Sequence, residues 1–230
     1  MVNEKQIVAI AGATGRTGRL IVEELAARGY VVRALVRSAA TASLRQQEGI
    51  ELAAADLSSV ESLERALQGA AFLISAIGSR KPFSAKENNA VDNMGNQNLA
   101  KAALKKKIQH MVVISSIGAG DSRYAINFIF RLLMTPVLRM KEKSEAFIRG
   151  CGISYTILRP GGLSDKELTG AVAFGEGGKI SGMVSRQEIA RVCVDALSNS
   201  AMKNRTLEVI DASTLKDGQQ PFTVDLQQTV

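Results

Sequence analysis

The residues best placed to do chemistry in this chain are glycines and arginines. Gly12-Ala-Thr-Gly15-Arg-Thr-Gly18 follows a short apolar run, residues 7–11, and precedes Leu20, Ile21 and Leu25 at helical spacing. A second β-branched run covers residues 31–36, so strand, glycine turn, helix and strand make one βαβ unit. In that setting Gly12 turns the chain off the strand, Gly15 lets the backbone approach a pyrophosphate, and Gly18 lets the helix pack on the sheet. Thr14 and Thr17 stand in the same loop, and the free N–H groups of the helix start face the phosphates. Arg37 lies nineteen residues after Gly18, where an acid would hold ribose hydroxyls, and no acid lies between Glu24 and Glu48. A cation there suits a 2′-phosphate, so the expected cofactor is NADP(H). Arg16, inside the loop, is a second candidate phosphate partner.

Other chemistries find little material. The cysteines, Cys151 and Cys193, are far apart, and with one histidine no metal-ligand cluster is expected. A serine–histidine triad would have to use His110, which directly precedes a strand and so sits at the wrong end of the sheet. Net charge is +7, but aromatic residues make up only 4% and do not alternate with basic ones, so nucleic-acid binding is not expected. No run reaches the about 18 apolar residues of a membrane span. Residues 1–5 lead straight into the first strand, leaving no room for a signal peptide, and a cytoplasmic protein is expected.

Strand and helix patterns alternate throughout, which argues for an α/β fold. The expected architecture is a Rossmann-type doubly wound parallel sheet, one domain over residues 1–210 with a small carboxyl-terminal substrate-side portion. Residues 211–230 form a polar tail, either disordered or strapped over the surface. Residues 39–47 read as a short helix, 50–55 as a third strand, and 58–68 as a helix capped by Ser58 with Glu61 completing the box. A fourth strand covers 71–77, a long helix 88–107 and a fifth strand 111–115. Residues 123–150 are helical in bias and broken at Pro136. A sixth strand covers 154–159, 163–181 read as loop, a helix capped by Ser185 follows, and 207–210 form a last strand.

Ligands of such sheets sit beyond the carboxyl ends of the strands. That rule adds Asp56, Leu57, Ala76, Ile77, Gly78, Ser115 and Pro160 to the cofactor candidates. Asp56 would accept from an adenine amino group and Leu57 would pack on the ring; alternatively Asp56 serves the helix start beside Ser58. Substrate candidates are Arg80, Ser116, Ile117, Phe128 and Leu163. Residues 125–140, apolar with two arginines, read as the wall of a hydrophobic acceptor pocket, as an interfacial or partner-binding helix, or as an ordinary buried helix.

GATGRTG after the first strand, Arg37, Asp56-Leu57, VVISSIGA at 112–119 and YTILRPGGL at 155–163 together resemble the atypical, NmrA-like short-chain dehydrogenase/reductases across residues 7–210. AIGSRK at 76–81 and SDKELTGA at 164–171 are similar to loops of the biliverdin reductase B/flavin reductase group. The resemblance implies hydride transfer from NADPH to a flavin or tetrapyrrole. It also implies catalytic roles for Ser116, which would orient the acceptor, and for Lys141, which would touch a nicotinamide ribose. The superfamily's Tyr-x-x-x-Lys pair is incomplete, because Val137 stands where the tyrosine should be. Valine donates no proton, so a flat conjugated acceptor whose proton comes from solvent is favoured over a ketone. The competing reading is a non-catalytic NADP(H)-binding redox sensor or assembly protein, with a partner bound through 125–140. Either is expected as a monomer or weak dimer.

Overall fold

We describe a computed structural model of the chain over residues 6–38, 44, 48–168 and 171–226. The first βαβ unit forms where the periodicity puts it: β1 (Ile7–Ala11), α1 (Arg16–Ala27) and β2 (Val31–Val36). There follow β3 (Ile50–Ala54), α2 (Val60–Ala66) and β4 (Phe72–Ser75). Then come α3 (Ala85–Asn88), a π-helical stretch Asn89–Gly95, α4 (Asn96–Lys105) and β5 (His110–Ile114). The chain continues through α5 (Phe128–Gly150), β6 (Tyr155–Pro160), β7 (Gly162–Ser164), β8 (Val172–Gly175), β9 (Met183–Ser185), α6 (Arg186–Asp195) and β10 (Arg205–Asp211). The helix expected over 39–47 lies outside the described residues.

The main sheet runs β3-β2-β1-β4-β5-β6-β10-β8. All its pairings are parallel except β10 with β8. The order reverses between β1 and β4, and there the carboxyl ends diverge into a crevice. Strand residues alternate between two cores. Val8 and Ile10 face α1 and α6, while Ala9 and Ala11 face α2, α4 and α5. The sequence pattern missed β7, β8 and β9, each of only three or four residues inside a glycine-rich stretch. Residues 211–226 of the tail are strapped over the surface rather than loose. Phe222 bridges Phe174 through the backbone, stacks on its ring at 6.2 Å, and packs with Val224 and Leu226 on the core.

Three local expectations need correction. Ser59, not Ser58, caps α2, accepting from the Ser62 N–H at 3.2 Å. Ser58 instead donates to Asp56 through its N–H and its hydroxyl. Helix α5 runs unbroken through Pro136, which sits where the helix is only partly buried, and the Thr135 hydroxyl donates to the carbonyl of Arg131 at 2.7 Å. The long helix of 88–107 is split by the π-helical stretch. There Ser75 donates to Asn96 Oδ1, Asn96 Nδ2 to the carbonyl of Asp92, and Asn98 Nδ2 to the carbonyl of Leu57.

Two buried polar groups join the ends of the sheet. His110 opens β5, with Nδ1 2.8 Å from the Ser154 hydroxyl and Nε2 2.9 Å from that of Thr156. Thr156 spends its own proton on the carbonyl of Met202, so it accepts from Nε2–H and Nδ1 accepts from Ser154. At the other end, Arg159 is 2% exposed. Its guanidinium donates to both oxygens of buried Glu145, at 3.1 and 2.6 Å, and to Asp121. Burial opposes the charge of Arg159, but Glu145 and Asp121 more than offset it and hold the pKa above the ordinary arginine value.

Both groups give tests. Burial first, and Lys203 second, push His110 down from 6.5 to about 4. A base depressed in the fold contributes fully above its unfolded pKa and loses that contribution as pH falls towards the folded one. Stability should therefore fall between about pH 6.5 and 4 by up to about 3 kcal/mol, and His110→Gln should flatten that part of a denaturation-against-pH profile. Glu145→Ala leaves Arg159 buried without its main partner, and chemical denaturation should register a loss of about 3–5 kcal/mol.

Candidate cofactor and acceptor site

The turn from β1 into α1 has almost no room for side chains. Gly12 adopts φ +88°, and a Cβ there would lie 2.5 Å from the carbonyl oxygen of Ala76. A Cβ on Gly18 would overlap the carbonyl of Gly12, which is the close helix packing its spacing implies. Gly15 N-caps α1 with no side-chain cap, so the first N–H groups of the helix are not taken by a side chain. They point to where the crevice opens.

That crevice is a cavity of about 520 Å³ at the carboxyl ends of β1 to β4. Gly12, Thr14 and Gly15 line its floor; Arg37 and Ser38 line it beyond β2, Ala55 and Leu57 beyond β3, and Ala76, Ile77, Gly78 and Arg80 beyond β4. Arg37 is exposed and has no ion-pair partner among the described residues. The cavity thus combines glycine backbone for a pyrophosphate, apolar side chains for a flat ring and a cation for a terminal phosphate. These residues fit a dinucleotide.

Other expected cofactor residues lie outside the lining of this cavity. Arg16 forms an ion pair with Asp165, which also pairs with Arg186 at 2.6 Å, so the loop arginine ties α1 to the loop after β7. The Asp56 carboxylate accepts both donors of Ser58, and these hydrogen bonds lower its pKa, so it serves the helix start. The Ser115 hydroxyl turns inward to Glu145. Pro160 is buried at the end of β6, beside Val209. Thr17 is half-buried in the first turn of α1.

The candidates for chemistry lie along the same sheet edge. Lys141 reaches from α5 to Asp92 Oδ1 at 3.0 Å, and Asp92 is fully buried in the π-helical stretch. Asp92 Oδ2 accepts the Ser79 N–H at 3.1 Å, and a Cβ on Gly78 would lie 3.9 Å from its other oxygen. The lysine is therefore fixed beside the cavity wall. Four residues earlier on the same helix face, Val137 is buried at 7% exposure, so the tyrosine's place is filled by packing. The Ser116 hydroxyl donates to the carbonyl of Ile117 at 2.9 Å. Ile117 is buried and packs with Ala173, Ile180 and Ile210. Leu163 lies in β7 and packs on the core.

A second cavity of about 250 Å³ opens beyond β5, between the loop of Gly118 and Gly120 and helix α5. Phe128, Leu132 and Leu138 give it apolar walls, Tyr124 an aromatic one, and Arg123, Arg131, Arg139 and Glu142 charged ones, three cations to one acid. Arg131 lies over the rings of Tyr124 and Phe128, at 4.9 and 5.2 Å. Of the three readings of 125–140, a pocket wall matches Phe128, Leu132 and Leu138, while the exposure of Ile129, Phe130 and Leu133 argues against an ordinary buried helix. Sequence reasoning missed Asp92, Glu87 and Val91 beside the first cavity, and Tyr124 beside the second. A π-helical turn leaves no periodic signature, so nothing local marked Asp92.

The chain matches the NAD(P)H-binding family over residues 12–200. It is 34% identical over 213 residues to an uncharacterised chloroplast protein of Arabidopsis thaliana, covering 88% of this chain and 76% of that one. Sanguinarine reductase of Eschscholzia californica is 29% identical, with 90% of this chain and 89% of that protein covered. Protein TIC 62 of Oryza sativa subsp. japonica is 30% identical over 85% of this chain, which spans only 44% of that relative. Among solved structures, ChuY, an anaerobilin reductase of Escherichia coli O157:H7, superposes with a TM-score of 0.78 at 23% identity, covering 90% of this chain and 98% of that one, a likeness of fold. By its glycine turn, strand order and match over most of its length, the chain belongs to the NAD(P)H-binding family of Rossmann proteins, among the NmrA-like atypical short-chain dehydrogenase/reductases.

Proposed function

We propose that the protein is an NADPH-dependent reductase of a flat conjugated acceptor of flavin, quinone or tetrapyrrole type. The observation that carries this reading is the pair of cavities on one sheet edge, with Lys141 fixed beside the first and Val137 in place of a proton donor. A bound nicotinamide supplies the hydride. The protein's own work is positional. Gly12 and Gly15 admit the pyrophosphate, Arg37 pairs with a 2′-phosphate, and Leu57 and Ile77 receive the adenine side. Lys141, oriented by Asp92, donates to the ribose of the nicotinamide half. The aromatic and guanidinium faces of Tyr124, Phe128 and Arg131 stack on a planar acceptor. With no side-chain acid at position 137, the acceptor takes its proton from water, which suits a conjugated system better than a ketone.

The filled tyrosine position also supports a second reading, a NADP(H)-binding protein that signals cofactor state to a partner without turnover. The relative TIC 62 is more than twice as long as the part this chain matches, in keeping with a binding unit joined to other segments.

The deciding measurement is loss of NADPH absorbance with a panel of flavins, quinones and tetrapyrroles against a protein-free control. Oxidation by one class is expected, with Lys141→Ala slowing it by about tenfold or more and Ser116→Ala also slowing it. Tight NADPH binding with no oxidation across the panel would overturn the reductase in favour of the second reading. Arg37→Ala should cost about 1.5–3 kcal/mol in NADPH affinity, about ten- to a hundredfold, with NADH affinity little changed. An unchanged NADPH/NADH ratio in a binding titration would remove Arg37 from cofactor selection.

A further inference from the structure

Large apolar side chains are distributed unevenly over this surface. Ten are exposed among the described residues, and six of these fall within residues 124–133: Tyr124, Phe128, Ile129, Phe130, Leu132 and Leu133. Each of the six is more than half exposed. The other four, Phe83, Met94, Leu104 and Met183, come from different parts of the chain. A cluster of this density on a folded surface marks a contact with something else.

Its shape narrows what that partner is. At about 100° per residue, Phe128, Ile129, Phe130, Leu132 and Leu133 spread over about 200° of the first turns of α5. A helix made for a protein groove presents a narrower stripe, with anchors at i, i+3, i+4 and i+7. Here three consecutive residues, 128 to 130, are apolar and exposed. A groove would cover some of them and leave others in water. A lipid surface into which the end of the helix dips covers them all.

The charge agrees with an anionic surface. From Ser122 to Lys141 there are four cations, Arg123, Arg131, Arg139 and Lys141, and no acid. Lys141 is engaged by Asp92. Arg123, Arg131 and Arg139 have no carboxylate partner among the described residues. Arg123 and Arg131 lie over the ring of Tyr124, at 5.8 and 4.9 Å, so aromatic and cation sit together at one level, as at a headgroup boundary. No described helix is long and apolar enough to cross a membrane, so this contact is peripheral.

We infer that the exposed start of α5, with Tyr124 and the three arginines around it, is a docking surface for an anionic lipid bilayer. Ile129, Phe130 and Leu133 enter the acyl boundary, and Arg123, Arg131 and Arg139 meet the phosphates. The second cavity opens on the same face, since Phe128, Leu132 and Arg131 belong to both. Docking therefore brings its mouth to the bilayer surface.

The test is flotation of the full chain with vesicles of phosphatidylcholine containing phosphatidylglycerol, and with phosphatidylcholine alone. The comparison protein is Ile129→Gln/Phe130→Gln/Leu133→Gln, whose three sites avoid the cavity lining and where glutamine keeps helix propensity. A melting curve and an NADPH titration establish that this variant is folded. The wild type should float with the anionic vesicles, more weakly in high salt, and binding should fall by about tenfold or more in the variant. Arg123→Gln/Arg131→Gln should reduce the preference for anionic over neutral vesicles. Failure of the wild type to bind anionic vesicles would overturn the inference. So would equal binding by the apolar variant, which would trace attraction to the general basic charge. A concentration-dependent dimer in sedimentation velocity that the apolar variant abolishes would assign the surface to a second copy instead.

Discussion

A full positive charge is buried at the carboxyl end of β6, and much of the surrounding structure keeps it paired. Arg159 binds Glu145 of α5 through two nitrogens and Asp121 of the loop after β5 through a third. Glu145 in turn accepts from Ser115 at the end of β5 and from Arg149 one turn along its own helix. Five residues from four segments thus share one set of charges. Such a cluster adds less stability than its Coulomb attraction suggests, since desolvation takes most of it back. Its consequence is positional: any slide of α5 along the sheet would strand a buried charge. The same helix carries Lys141 and Val137, so the ion cluster sets where the candidate chemistry sits.

From that anchored helix the site follows in two directions. Lys141 points from α5 to Asp92, and the π-helical stretch brings Asp92 next to Gly78 on the wall of the larger cavity. The N-terminal turns of α5 point the other way, out of the protein, and carry the aromatic and arginine wall of the smaller cavity. A single helix therefore links the two cavities and an exposed apolar surface. Among this chain's relatives is a reductase, and in this chain a buried Val137 stands four residues before Lys141 on α5.

Much of this is legible in the sequence. The glycine turn and the strands of the first half follow from patterns a few residues long. Gly12, Gly15, Arg37, Leu57, Ala76, Ile77 and Gly78 do line one cavity. The failures share a cause. Ser58 and Ser59 are equally good caps by type, and only the turn made by Asp56 chooses between them. Pro136 reads as a break, because the donor it lacks is visible in sequence while the exposure that tolerates the loss is not. The short strands β7 to β9 exist because β10 and neighbouring segments offer them edges, not because their own residues demand it.

The sequence by itself determined the cofactor scaffold, because a turn that tolerates no Cβ, a helix start with free N–H groups and a cation after β2 are local facts of residue type and spacing. The tertiary structure decided what each polar side chain does. Arg16 joins Asp165, Ser115 joins Glu145, Lys141 joins Asp92 and Arg159 joins Glu145 across gaps of 14 to about 150 residues, separations that no local periodicity records. A charged or hydroxyl group takes whichever partner lets it leave water at least cost, and that partner is known only once the chain has folded around it.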